Sequence, residues 1–274
     1  PMFYPDYQRV ATPEAKQPFE KLWGRELDPK PGLTVVEIVN AACEGKIRGM
    51  YIMGENPALS DPDSNHARKG LAALSHLVVQ DIFLTETAYL ADVVLPATAW
   101  PEKVGTVTNT DRLVQLGRKA IEPPGEAKPD LWIIVEIARR LGLAWTYEHP
   151  RDVFDEMRRC MDSIAGITWE RLERDSAVTY PCQQEGDAGQ PIVFTEHFPT
   201  ATGRAKFVPA DLIGAAEQPD EDYPMVLITG RQLEHGHTGA MTRRAGVLDA
   251  LEPEPVASLH PLDLARLGVK PGGT

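Results

Sequence analysis

GMYIMGENPALSD (49–61), HLVVQDIFLTETA (76–88) and ADVVLPATAW (91–100) decide the fold of this chain. Each contains a short apolar run, Met50–Met53, Leu77–Val79 and Val93–Leu95, that stops at polar or turn-forming residues. Strands buried on both faces of a parallel sheet read as such continuous hydrophobic runs. Open α/β sheets bind ligands beyond the carboxyl ends of their strands. The residues standing there are Gly54, Glu55, Asn56 and Pro57 after the first run, Gln80 and Asp81 after the second, and Pro96, Ala97 and Thr98 after the third. The expectation is a binding platform for a nucleotide-like molecule.

The intervening segments fit a helix–strand alternation, the βαβ signature. Thr34-Val35-Val36-Glu37 has the spacing of a capping box and predicts a helix to about Gly45. Asp63 to about Leu74 predicts the next helix, and a short one near 85–90 leads into the third strand. Residues 1–32 read as extended and Pro-punctuated, apart from a short helix near Phe19–Trp23. Thr106 to Arg112 alternates and then turns, as an extended loop or small hairpin. Lys128-Pro129-Asp130-Leu131 opens a strong helix whose Gly142 suits the C-terminal cap. Helices are also expected from Pro150 to about Cys160 and from Trp169 to about Arg174. CQQEGDAGQP (182–191) reads as a linker. After it, short runs near 192–195, 204–208 and 224–229 look all-β, and a short helix runs from Ser258 to Leu267. The fold class is α/β, with a parallel-sheet dinucleotide-binding domain over 1–185 and a β-rich domain over 186–274. The closing Gly/Pro turn normally leads into another strand, so the sequence is expected to stop inside that domain.

Composition bounds the function. The 274 residues carry a net charge of −12 with no Lys/Arg run, which argues against a nucleic-acid duplex as partner. No stretch approaches the ~18 apolar residues of a membrane span. The opening PMFYPDYQRV is no signal peptide and suggests a piece of a longer protein. Cys43, Cys160 and Cys182 lie far apart and form no C-x-x-C. They read as reduced thiols of a cytoplasmic protein, insufficient for an iron–sulfur or zinc site.

Several positions carry more than one reading. Asn56 offers a donor and an acceptor to a ligand, or forms an ordinary Asn-Pro turn. Gln80 and Asp81 contact a ligand or cap the strand end. Asp130 suits guanine N1–H and N2–H₂ as a carboxylate acceptor, and equally suits a helix start, where acids complement the macrodipole. Arg231, Gln232, His235, His237 and Thr238 crowd after the apolar run YPMVLIT (223–229). They form a phosphate- or heterocycle-binding loop, a His-x-His metal pair on one strand face, or a solvated loop. No metal site is assigned, because no third ligand stands at suitable spacing. Asp152, Asp155 and Glu156 read as a solvated helix face. No nucleophile elbow, P-loop, H-E-x-x-H or G-x-G-x-x-G is present, so the residues support binding rather than catalysis.

GKIRGMYIMGENPALSDPD, LVVQDIFLTETAYLADVVLPATAWPEKVGTVTNTDR, AIEPPGEAKPDLWII and YPMVLITGRQLEHGHTGAMTRRA together resemble the molybdopterin oxidoreductase family, in its molybdenum- or tungsten-dependent formate dehydrogenase branch. The likeness runs over nearly the whole chain. Thr-Asn-Thr-Asp-Arg carries it for the superfamily and Arg-Gln-Leu-Glu-His for the formate branch.

The resemblance implies a bis-molybdopterin guanine dinucleotide cofactor holding molybdenum or tungsten. It implies cofactor contacts at Gly54, Glu55, Asn56, Ser60, Gln80, Asp81, Pro96, Ala97, Thr98 and Asp130. A second set, Arg231, Gln232, His235, His237 and Thr238, would lie at the start of a C-terminal cofactor-binding β-barrel. No catalytic residue is assigned here: the metal-ligating Cys or selenocysteine, its His and Arg neighbours and the iron–sulfur cysteines fall in N-terminal domains outside this sequence. Formate would be the substrate of the intact subunit, with iron–sulfur, flavin or NAD-linked electron-transfer subunits as partners. Two departures stand out: Gly236 where a bulky aromatic is expected between the histidines, and Ala97 where some relatives carry Ser. The alternatives are the non-catalytic large iron–sulfur subunit of a respiratory NADH dehydrogenase, or a family member acting on nitrate or another oxyanion.

Overall fold

The apolar runs and their polar ends do build a parallel sheet. The computed structural model describes residues 2–273, in two units, one running to Asp211 and the other starting at Leu212.

The first unit begins with β1 (Phe3–Tyr4) paired antiparallel to β2 (Gln8–Arg9) and followed by α1 (Pro13–Trp23). Tyr4, Val10 and Phe19 form a small core, with Tyr4 and Phe19 stacked at 4.6 Å. This helix is longer than the Pro-rich sequence suggests. Pro13 sits in the first turn, where a missing N–H costs nothing. Pro18 forfeits one backbone bond, and burial of its neighbour Phe19 offsets that loss. Next, α2 (Val35–Cys43) starts at the expected capping box: Glu37 N donates to Thr34 Oγ1 at 3.3 Å and Thr34 N to Glu37 Oε2 at 2.7 Å.

The parallel sheet has the order β3 (Gly49–Met53), β4 (His76–Asp81), β5 (Val93–Pro96). Helices α3 (Pro57–Ser60) and α4 (Ser64–Ala72) make the first crossover, and a 3₁₀ turn, Ala88–Leu90, lies in the second. Register pairs Met53 with Gln80 and Asp81 with Pro96, so the three strands end together. One face packs Ile52, Leu77 and Val79 against Ala58, Leu71 and Ala88. Central strand β4 is buried as expected, with Leu77, Val79 and Gln80 at 1%, 0% and 0% exposure. The outer strands are not: Tyr51, Met53 and Val93 are exposed. Only a central strand has neighbours on both edges.

Beyond β5 the chain forms the antiparallel hairpin β6 (Gly105–Thr108) and β7 (Leu113–Gly117), then α5 (Asp130–Arg140), α6 (Pro150–Met157) and α7 (Trp169–Asp175). Strand β8 (Ala177–Thr179) adds to β7; three residues are too few to announce themselves in sequence. Trp169, Phe154, Ile167 and Leu172 pack with Val114 and Val178 as the core of this part. Glu156, expected on a solvated face, accepts from Trp23 Nε1 at 2.8 Å and Tyr147 Oη at 2.7 Å. Burial and this bond push the Tyr147 phenol up to about 12.

Residues 182–191 are no free linker. Arg112 donates to the carbonyls of Tyr180, Gln190 and Pro191 at 2.6, 2.8 and 2.9 Å. Gly166 and Gly189 are pressed on by backbone: an added Cβ would lie 2.2 Å from Gln184 O and 2.0 Å from Thr179 O.

Among the described residues no strand follows Thr179, so the runs near 192–195, 204–208 and 224–229 stay unpaired. Leu227 and Ile228 are exposed. A strand needs a neighbour for its N–H and C=O groups, and none is paired with these segments. The second unit holds α8 (Gly246–Leu251) and α9 (Pro261–Leu267). Among the described residues no helix is long and apolar enough to cross a membrane.

Leu77→Ala removes the largest buried aliphatic of β4 and is expected to cost about 2–5 kcal/mol in urea unfolding; a loss within error would mean a loosely packed sheet. Hydrogen bonds from the Thr34 backbone N–H, and then from its hydroxyl, hold the Glu37 carboxyl below its usual range. A depressed carboxylate stabilises the fold above its unfolded pKa and loses that contribution as pH falls through its folded value. Glu37→Ala is therefore expected to destabilise the chain at neutral pH, with a penalty that shrinks in acid, as read by melting temperature against pH.

Candidate functional site

At the carboxyl end of β4 the Gln80 side chain is wholly buried. Its Oε1 accepts from the Tyr51 phenol, and its Nε2 donates to Asp130 Oδ1 at 2.7 Å. Asp130 Oδ2 is paired with Lys103, whose Nζ also donates to the Thr98 carbonyl at 2.8 Å. The sheet explains the assembly. Tyr51 stands across from Val78, two residues before Gln80, so both project from one face. Lys128 bridges in parallel to Ala97, which carries the first residue of α5, Asp130, to the same edge. Asp130 is thus both the acid at a helix start and part of the polar cluster. Burial, and then the Asp130 charge, hold the Tyr51 phenol above its usual range, so it remains a donor at neutral pH.

Gly54 has φ +65° and open space where a Cβ would be; its N–H donates to Gln80 O at 2.9 Å. The side chain of Asn56 is buried and spent on the protein. Its Oδ1 accepts from Thr87 N at 3.1 Å and Thr87 Oγ1 at 2.8 Å, and its Nδ2 donates to Glu86 at 2.8 Å. Ser60 Oγ donates to the Asn56 carbonyl at 3.0 Å. The donor and acceptor that the sequence offers to a ligand therefore tie down the loop. The Glu55 and Asn56 backbone N–H groups have no partner among the described residues. Asp81 Oδ1 accepts from Ile82 N at 2.6 Å, as a strand-end cap. Pro96 is exposed and Ala97 buried, with Ala97 N bonded to Asp81 O at 2.9 Å. Thr98 is fully buried and its Oγ1 has no hydrogen-bond partner. Beside the Gly54 loop, a cleft of about 470 Å³ is lined by Val35, Ile38, Tyr51, Met53, Glu55 and Ser60, among others.

Tyr51 and Lys103 are absent from the sequence-derived set. Tyr51 carries a usable signal, the two-residue alternation of β3 beside Gln80. Lys103 carries none, because only the chain path brings it to Asp130.

In the second unit His235 is buried and internally bonded. Its Nε2 donates to Glu252 O at 2.7 Å, and Nδ1 lies 3.2 Å from Thr242 Oγ1. His237 is exposed in a turn at φ +52°. The segment is not a strand, so the two histidines do not form the strand-face pair that a His-x-His metal site requires. Arg231, Gln232 and Thr238 are exposed, with Gln232 Nε2 3.4 Å from Glu252 Oε2.

Residues 7–140 match the family model described as molybdopterin oxidoreductase, and residues 225–274 the one described as molydopterin dinucleotide binding domain. The F420-dependent formate dehydrogenase subunit alpha of Methanocaldococcus jannaschii is 45% identical over 274 residues, which are 99% of this chain and 40% of the relative. Formate dehydrogenase H of Escherichia coli is 37% identical, over 98% of this chain and 38% of that protein. Acetylene hydratase from Pelobacter acetylenicus shares the fold, with a TM-score of 0.62 at 21% identity, over 95% of this chain and 38% of that one. The chain spans between about a quarter and two fifths of the length of the curated relatives it matches.

Asp130→Ala would leave the buried Gln80 amide without its acceptor, at an expected cost of about 1–3 kcal/mol. Urea unfolding of the variant checks this; an unchanged midpoint would show that the cluster contributes nothing to the fold.

Proposed function

The chain belongs to the molybdopterin oxidoreductase family, and from that membership we propose that it is the dinucleotide-cradling part of a formate dehydrogenase catalytic subunit. The intact subunit would oxidise formate to carbon dioxide by two electrons. Formate dehydrogenase is the name of relatives at 37–45% identity. Those names favour this reading over the electron-wiring subunit of a respiratory NADH dehydrogenase, and over a nitrate or oxyanion enzyme.

The observation that carries the binding role is the buried Thr98 hydroxyl, left unsatisfied beside the Gln80–Asp130–Lys103 cluster. Buried polar atoms are ordinarily paired, and this one stands where an α/β sheet receives its ligand. The surrounding donor set fits a guanine-capped pterin. The unpaired N–H groups of Glu55 and Asn56 suit anionic oxygens, with Gly54 keeping the approach open. Asp130 retains lone pairs for guanine N1–H and N2–H₂, and Gln80 holds that carboxylate in place. Asp81, Pro96 and Ala97 shape the adjoining strand ends. Arg231, Gln232, His237 and Thr238 offer donors for cofactor oxygens, while His235 and Ser60 hold their loops in shape.

The bound molybdenum or tungsten centre supplies the two-electron redox chemistry. The residues of this chain bind, orient and shield the dinucleotide end of the cofactor. The proposal includes a second pterin dinucleotide, iron–sulfur clusters in other domains, electron-transfer partner subunits linked to flavin or NAD, and a cytoplasmic location.

The 274-residue chain alone is expected to show no formate-dependent dye reduction; measurable turnover would overturn the division of labour proposed here. In the full-length subunit, Gln80→Ala combined with Asp130→Ala is expected to lower bound guanine nucleotide. GMP released by acid hydrolysis should fall about tenfold at limiting cofactor, the effect of ~1.4 kcal/mol in affinity. Unchanged GMP content would remove this edge from the cofactor site.

A further inference from the structure

The hydrogen bonds among Tyr51, Gln80, Lys103 and Asp130 all run toward one group. The Tyr51 phenol donates to Gln80 Oε1, and Gln80 Nε2 donates to Asp130 Oδ1 at 2.7 Å. Lys103 Nζ donates to the other carboxylate oxygen, Oδ2. Lys103 follows the 3₁₀ turn Trp100–Glu102, and its ammonium has an anchor apart from Asp130, the Thr98 carbonyl at 2.8 Å. The pair is sheltered, with the Lys103 and Asp130 side chains 25% and 31% exposed. Thr98 itself is wholly buried and its hydroxyl has no partner, where buried polar atoms are ordinarily paired.

The direction of these bonds limits what can complete the cluster. Paired with an ammonium, Asp130 is a carboxylate, and a carboxylate only accepts. A ligand that meets it must bring donors. Guanine has two adjacent donors on one edge, N1–H and N2–H₂. Hypoxanthine keeps only N1–H, and adenine sets a bare N1 beside its amino group. Reading two donors at once takes a carboxylate held in one plane. The terminal torsion of an Asp side chain has broad wells, so its partners set that plane. Gln80 holds one oxygen and Lys103 the other.

We propose, on the reading of this edge as the cofactor's guanine site, that Lys103 is a specificity-determining residue, which fixes the plane of the Asp130 carboxylate so that guanine is preferred over bases with fewer donors. It acts through Asp130 and is a positioning residue. A lysine that paired with phosphate instead would strengthen binding of every nucleotide alike.

Calorimetric titration of the 274-residue chain with GMP, IMP and AMP tests this. The unsubstituted chain is expected to bind GMP about tenfold more tightly than IMP, the worth of one hydrogen bond to a charged group, and AMP more weakly still. In Lys103→Met the GMP-to-IMP preference is expected to fall to about threefold or less, and Lys103→Arg, which keeps charged donors, should restore most of it. The ratio is internal to each variant, so a general loss of stability does not move it. If Lys103→Met fails to fold, Lys103→Gln serves for the same comparison. An unsubstituted chain indifferent to the base would remove the guanine site, and this inference with it. A GMP preference that is present there and unchanged in Lys103→Met would overturn the role of Lys103 alone. Equal weakening of all three nucleotides, or no recovery in Lys103→Arg, would do the same.

Discussion

A buried amide at the end of the central strand sets the conditions for everything around it. Gln80 is fully enclosed, and an enclosed amide must find partners for both its oxygen and its nitrogen. Tyr51 supplies the donor and Asp130 the acceptor. Meeting that demand registers β3 against β4 and brings the first turn of α5 to the sheet edge. Lys103 then answers the carboxylate, and its second bond reaches the Thr98 carbonyl. Low dielectric strengthens such a network when it is satisfied and penalises it when it is not. The one unanswered member, Thr98 Oγ1, lies among residues otherwise paired.

A division of labour follows along the same edge. The Asn56 side chain reaches Thr87 and Glu86 rather than open space, so its loop is held by side chains and presents backbone. His235 behaves alike in the second unit, spending both ring nitrogens internally. Binding loops carried on a rigid scaffold commonly work in this way. The most chemically conspicuous side chain of a motif is often the one that holds the motif together.

Much of the first unit was legible from residue patterns. Short apolar runs mark the three parallel strands. Thr34 and Glu37 mark the start of α2, and Gly142 stands at the end of α5 with φ +83°. These features are local, decided within a few residues by sterics and hydrogen bonding. Less was legible at 182–191, where a polar, Gly-rich composition suggests a free connection. Arg112, 78 and 79 residues from the two carbonyls it reaches, clamps it there, and composition cannot report such a contact. The runs near 192–195, 204–208 and 224–229 show the converse: strand-like residues remain unpaired because a strand exists only with a neighbour.

For the site itself, sequence determined which residues stand at the strand ends: Gly54 to Asn56, Gln80 and Asp81, and Pro96 to Thr98. The points where the continuous apolar runs stop suffice for that. Tertiary structure decided what those residues do. It recruited Tyr51 and Lys103, turned Asn56 inward, left Thr98 Oγ1 unpaired and set Asp130 against Gln80. A side chain's role depends on which partners reach it and how much water is excluded. Both are set by contacts between segments distant in sequence.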